Sequence, residues 1–137
     1  MKSRKNIVKE LDRVFSLYIR HSHAKDGMVE CCTCGRSYPV KKIQNGHFMS
    51  RKNYITRWDE ENCAPQCYGC NVMKQGQQYL FAKYLDNKYG DGHSDKMLIK
   101  SKKTIKYSND ELLEMIDKYK NKLSTLCMSL ISLMFAL

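Results

Sequence analysis

The sequence predicts an α+β fold: a small metal-stapled core flanked by an N-terminal and a C-terminal helix. Three observations carry this reading. Two cysteine pairs, Cys31 with Cys34 and Cys67 with Cys70, each enclose two residues. Apolar residues recur at helical steps before and after them, over 6–21 and from Leu112 to Leu123. Between the pairs the chain reads as short strands and loops. At 137 residues it is one domain's worth of sequence, 1–137. Within it, 1–27 is an N-terminal helix, 28–90 the metal-binding core, 91–107 a lysine-rich linker and 108–137 a C-terminal helix.

The first helix rests on Ile7, Leu11, Val14, Phe15 and Tyr18, with Lys9, Asp12, Arg13 and Ser16 facing away. Its role is core support. Asp26-Gly27 marks a turn, and Met28-Val29-Glu30 a short strand into the first pair. Tyr38-Pro39-Val40 and Ile43 form the return strand, with Lys41 and Lys42 on its rim. Pro65 precedes the second pair, where a helix is expected to begin, its buried stripe being Leu80, Phe81, Tyr84 and Leu85. From Gly90 to Tyr107 the chain is polar and lysine-rich, hence the linker. Ser108-Asn109-Asp110-Glu111 is a capping-box pattern that opens the last helix. Residues 123–137 carry no charge, yet are too few for a comfortable membrane span. Packing or self-association is expected of them, including a homodimer through this apolar helix.

Four thiolates in two such pairs suit one zinc ion in a closed tetrahedral shell, with no open position for water. Zinc is then structural, one per chain. Cys32 in place of Cys31, or Cys63 in place of Cys67, would break the two-residue spacing. Cys127 reads as a buried small hydrophobe. The odd total of seven cysteines and the absence of an apolar signal-peptide core after Met1–Asn6 favour metal over disulfides. A reducing cytoplasm is expected.

Charge narrows the partner. Residues 1–58 hold thirteen basic and four acidic side chains, a net of +9, while the remainder adds +1. A basic half beside a stapled core points to a polyanion, most simply nucleic acid.

His47, Asn62 and Asn71 lie between or against the cysteine pairs. A neutral imidazole accepts a proton from water. An amide oxygen on Asn71 suits a hard divalent cation such as magnesium, although asparagines also cap helices. Asn62 is placed to bond across the loop and hold His47 in position.

The order cysteine pair, Gly46-His47, Asn62, cysteine pair, Asn71 resembles the HNH (His-Me finger) endonucleases. It resembles the phage lambda NinG (Rap) recombination nucleases more closely than the wider group. Gly46-His47-Phe48-Met49-Ser50-Arg51, Asp59-Glu60-Glu61-Asn62 and Gln66-Cys67-Tyr68-Gly69-Cys70-Asn71 carry the likeness. The resemblance implies a treble-clef ββα-metal core and a metal-dependent DNA endonuclease acting on branched, Holliday-junction-like intermediates. In it His47 is the general base, Asn62 the central asparagine, and Asn71 the last ligand of a catalytic Mg2+ or Mn2+. A phage-encoded protein of this kind works in the bacterial host cytoplasm. Where the wider pattern has an acidic ligand before the histidine, this chain has Gly46, so Asn45 or an acid of Asp59-Glu60-Glu61 is the remaining source. Lys41, Lys42, Arg51, Lys52, Arg57 and Lys74 are the expected phosphate contacts. Three other readings stay open: a catalytically inert zinc module that binds DNA, a sequence-specific HNH enzyme of restriction or homing type, and a zinc-stabilised interaction protein without a DNA role.

Overall fold

Ser3 opens the first helix by accepting the Asn6 N–H on its hydroxyl at 3.3 Å. That helix, α1 (Arg4–Ser22), buries Ile7, Leu11, Val14, Phe15 and Ile19. Ile19, rather than Tyr18, completes the stripe, and Tyr18 is half-buried at its edge. The computed structural model describes residues 1–136. In it α1 lies along the last helix, α5 (Asn109–Ala136), and the two run in the same direction. Arg4 bonds Asn109 at their first turns, and further on the Phe15 ring meets Tyr119 edge-on at 4.9 Å. The capping box forms in both directions: Glu111 N–H donates to the Ser108 hydroxyl at 3.1 Å, and Ser108 N–H to Glu111 Oε2 at 2.7 Å. Leu112, Ile116 and Tyr119 of α5 close this helical core with Trp58 and Cys63. Each such buried apolar side chain contributes about 2 kcal/mol.

Four short strands follow α1. β1 (Met28–Glu30) and β2 (Ser37–Pro39) form an antiparallel hairpin with Val29 opposite Tyr38. A single 3₁₀ turn, Val40–Lys42, leads into β3 (Gln44–His47). β3 pairs antiparallel with β4 (Cys63–Gln66), Asn45 opposite Pro65 and His47 opposite Cys63. Pro65 is thus a strand residue and does not start a helix. On a two-stranded ribbon its missing N–H costs no ladder bond on the open side. Between β3 and β4 lie a loop and the one-turn helix α2 (Tyr54–Arg57). After β4 the chain makes a π-type turn, Gly69–Met73, and then α3 (Gln78–Tyr89). In α3 only Phe81 and Leu85 are fully buried; Leu80 faces solvent.

The lysine-rich stretch 91–107 is not a linker throughout, because it contains α4 (His93–Ser101). Its start is fixed by α3: Asp86 accepts the Ser94 N–H at 2.7 Å and the Ser94 hydroxyl at 3.0 Å. Met97 inserts beside Phe48, Ala64, Phe81 and Leu85, forming a second core. A third surrounds the cysteines with Val29 and Ile43.

Beyond Leu123, α5 runs out past the end of α1. Met128, Leu130, Ile131, Leu133, Met134 and Phe135 are all more than half exposed, so this stretch packs on no core. Cys127 is likewise exposed and not the buried hydrophobe expected from its neighbours. Leu137, the last residue of the apolar run, lies outside the described residues. Among the described residues no helix is long and apolar enough to cross a membrane.

Candidate functional site

Gly35, at φ +73°, closes a turn in which its N–H donates to the Cys31 carbonyl at 2.9 Å. This curls Cys34 back beside Cys31. The second pair sits where β4 enters the π-type turn, and the Asn71 N–H donates to the Cys67 carbonyl at 2.8 Å. The Sγ atoms of Cys31, Cys34, Cys67 and Cys70 all lie within 4.8 Å of one another. Cys34 and Cys67 approach to 3.9 Å, against about 3.8 Å between sulfurs around a tetrahedral zinc with ~2.3 Å bonds. The four cysteines can therefore hold a metal ion such as zinc. With no ion bound, burial pushes the Cys34 and Cys70 thiols up, while the surroundings of Cys31 favour thiolate. Burial opposes ionisation of Cys31, yet the Thr33 hydroxyl and the N–H groups of Cys67, Cys34 and Thr33 outweigh it and bring the thiol down to about 6. Cys32 and Cys63 stand apart from the cluster. Cys32 packs against the Phe48 core, and Cys63 is buried with the helices, where desolvation drives its thiol up.

His47 ends β3. Its Nε2 lies 2.9 Å from the Arg57 carbonyl. A carbonyl only accepts, so in the neutral ring the proton sits on Nε2 and the lone pair on Nδ1. Burial, only partly offset by the Arg57 carbonyl, lowers the imidazole to about 4 and keeps it neutral at physiological pH.

Asn62 is fully buried opposite the loop that follows His47. Its Oδ1 accepts the Met49 N–H at 2.8 Å, and its Nδ2 donates to the carbonyls of Met49 (3.1 Å) and Thr56 (2.9 Å). Its own carbonyl accepts the Phe48 N–H at 2.8 Å. Asn62 thus clamps the chain on both sides of the 49–56 loop. It does not touch the imidazole; it fixes the backbone that carries it. Asn71 donates from Nδ2 to Gln44 Oε1 at 2.8 Å, which leaves its Oδ1 outside any protein hydrogen bond.

His47 and Asn71 open on one cleft of about 600 Å3, bounded by α1, β3 and the π-type turn. Asn45 and Arg51 line it too, and the amide oxygen of Asn45 is buried without a partner. Two further wall residues, Asp12 and Arg20, come from α1, whose polar face reads in the sequence as merely solvated. Asp12 accepts from Arg57 Nε at 3.0 Å and Nη2 at 2.5 Å, and from Trp58 Nε1 at 2.9 Å. The pairing of Asp12 with Arg57 links residues far apart in the chain, so no local pattern announces it.

Several expected roles change. Arg57 is not a loose phosphate contact: its guanidinium is held by Asp12 and lies over the rings of Tyr54 and Trp58. The acids 59–61 do not reach the cleft. Asp59 pairs with Lys100 at 2.6 Å and Glu60 with Lys122 at 2.7 Å, while Glu61 is exposed. Lys41, Lys42, Arg51, Lys52 and Lys74 are exposed, and of these only Arg51 lines the cleft. Gly46 has a steric reason. A Cβ there would meet Gln66 Oε1 at 2.6 Å and Gln66 Cβ at 2.9 Å. Gln66 cannot yield, since its Nε2 donates to the Gly76 carbonyl at 2.7 Å and to Thr33 at 3.1 Å. No acidic side chain fits before the histidine.

A family model described as Bacteriophage Lambda NinG protein matches residues 1–128. No curated protein and no solved structure matches the chain.

Proposed function

The chain belongs to the bacteriophage lambda NinG family, and on that premise we propose that it is a metal-dependent endonuclease of the HNH type that hydrolyses phosphodiesters in branched DNA. One observation carries the reading: His47, with a neutral ring and a free Nδ1, shares an open cleft with the unpartnered amide oxygens of Asn71 and Asn45. His47 Nδ1 takes a proton from a water molecule, whose oxygen forms the new bond to phosphorus as the sugar oxygen leaves. Asn62 keeps the imidazole in place through the backbone. Arg20 and Arg51 on the cleft walls meet the phosphates, contacts that give affinity without sequence information.

Asn71 and Asn45 offer hard oxygen donors that fit magnesium or manganese. When bound, such an ion stabilises the charge that builds on the phosphoryl and leaving oxygens. The donor set brings little negative charge, because Gly46 excludes a carboxylate and Asp12 is held by Arg57 and Trp58. Binding of the ion is accordingly weak until DNA phosphates join it.

Leu112, Ile116, Tyr119, Leu123, Leu126, Leu130 and Leu133 recur at alternating steps of four and three along α5. The first three are buried against the core, and Leu130 and Leu133 are exposed beyond it. A second copy paired through this outer part supplies the second active site that symmetric cutting of a four-way junction needs.

The test is cleavage of four-way-junction, single-stranded and linear duplex DNA, each with magnesium, manganese or chelator. Metal-dependent cutting that prefers the junction is the expected result. Sequence-directed cutting of linear duplex would favour a restriction-type enzyme, and no cutting at all an inert zinc module.

A further inference from the structure

The loop between β3 and α2 sends two neighbouring basic side chains to different places. Arg51 lines the cleft, and Lys52 lines a separate groove of about 520 Å3 on the other side of the loop. The far wall of that groove is the end of α4 and the segment after it, with Lys102, Lys103 and Thr104. Among the described residues, no acidic side chain lines the groove. Lys52, Lys102 and Lys103 are exposed, and none of them is in an ion pair among the described residues. Lys100, two residues before Lys102, is tied to Asp59. Asn53 adds an amide that caps nothing.

The ridge between cleft and groove is rigid. Asn62 holds its two ends at Met49 and Thr56, Arg57 Nη1 donates to the Arg51 carbonyl at 3.0 Å, and the Ser50 hydroxyl accepts the Lys52 N–H at 3.2 Å. The backbone positions that carry the two cations therefore keep a fixed relation. A nucleic-acid strand presents a phosphate about every 3.4 Å of helix axis. A backbone leaving the cleft over Arg51 meets Lys52 within a few nucleotides.

We propose that the Lys52–Lys102–Lys103 groove is a second seat for the nucleic-acid backbone, holding the strand that continues over the Arg51 ridge from the cleft. This rests on the nuclease reading above. The polar end of α4 then has a role, since packing of Met97 and the Asp86 cap hold its lysines as a phosphate-binding wall.

The test compares the full-length chain with a Lys52→Gln, Lys102→Gln, Lys103→Gln variant. A control, Lys2→Gln, Lys83→Gln, Lys118→Gln, removes the same charge from exposed sites that line neither cavity. Affinity for a labelled linear duplex and a labelled four-way junction is titrated at several KCl concentrations, with thermal melting as the check on folding. Removing one lysine–phosphate interaction lowers the log–log salt slope by about 0.9. The groove variant is expected to lose about two to three from the slope on both DNAs, with wild-type melting and an unchanged slope in the control. A groove variant whose slope matches the control overturns the proposal and leaves the nuclease reading standing. Wild-type protein that binds neither DNA overturns both.

Discussion

Asn62 makes three hydrogen bonds with one buried side chain, and each partner is a backbone group of the 49–56 loop. Asn62→Ala strands all three, so it should lower stability by about 3 kcal/mol in urea denaturation. His47 gives a pH signature. Its ring is held neutral down to about 4 in the fold, against about 6.5 in the unfolded chain. The unfolded state therefore binds the proton first, and this contribution is complete above pH 6.5 and lost as pH falls towards 4. A His47→Gln variant should show a smaller loss of stability between pH 7 and 4.5 than wild type; an equal loss would mean that the ring is not desolvated. That His47 and Asn71 lie near one another, and that Asn62 bonds across the loop, was legible because their order along the chain is itself a pattern. Asp12, Arg20 and the pairing of Arg57 were not. They come together only when α1 docks against the 51–58 loop, and nothing local to any of them encodes that contact.

Among the elements, the cysteine spacing told most and the polar helix least. Two CxxC pairs fix the ends of β1 and β4 whatever lies between, since the sulfurs must converge. α4 escaped because its buried face is His93, Ser94, Met97 and Ser101, with a single large apolar residue. Its start depends on Asp86 of α3, and His93 Nε2 lies 3.0 Å from the Glu61 carbonyl. Pro65 misled because proline more often opens a helix than sits in a paired strand. The β1–β2 hairpin packs mainly around the cysteines and contributes only Val29 and Tyr38 to their core. Metal removal should therefore undo it first. A strong chelator is expected to release one zinc per chain and abolish DNA cleavage, while far-UV circular dichroism retains most of the α1–α5 helical signal. Complete loss of helix on chelation would show that the two halves fold as one cooperative unit.

Across the whole molecule, the cleft lies where the helical core and the cysteine-centred core meet along β3. The positive half of the sequence, residues 1–58, supplies α1, β3 and the Arg51 loop around it. The charge asymmetry was legible; that Arg20 and Arg51 are the basic residues of this half that line the cleft was not, because that needs α1 to pack beside β3. α5 reaches beyond this body, and the family match ends at residue 128 while the helix continues to Ala136. Truncation after Met128 should convert a concentration-dependent dimer into monomer in sedimentation velocity. Wild-type protein that stays monomeric at concentrations where it cuts junctions would rule the dimer out.

The nuclease reading turns on His47 taking the proton from the attacking water. The decisive comparison is single-turnover cleavage of a four-way junction with magnesium, by wild type and by pure His47→Ala. A rate loss of about a hundredfold or more is expected, with junction affinity and zinc content unchanged. Cleavage by the variant at the wild-type rate would contradict that role for His47.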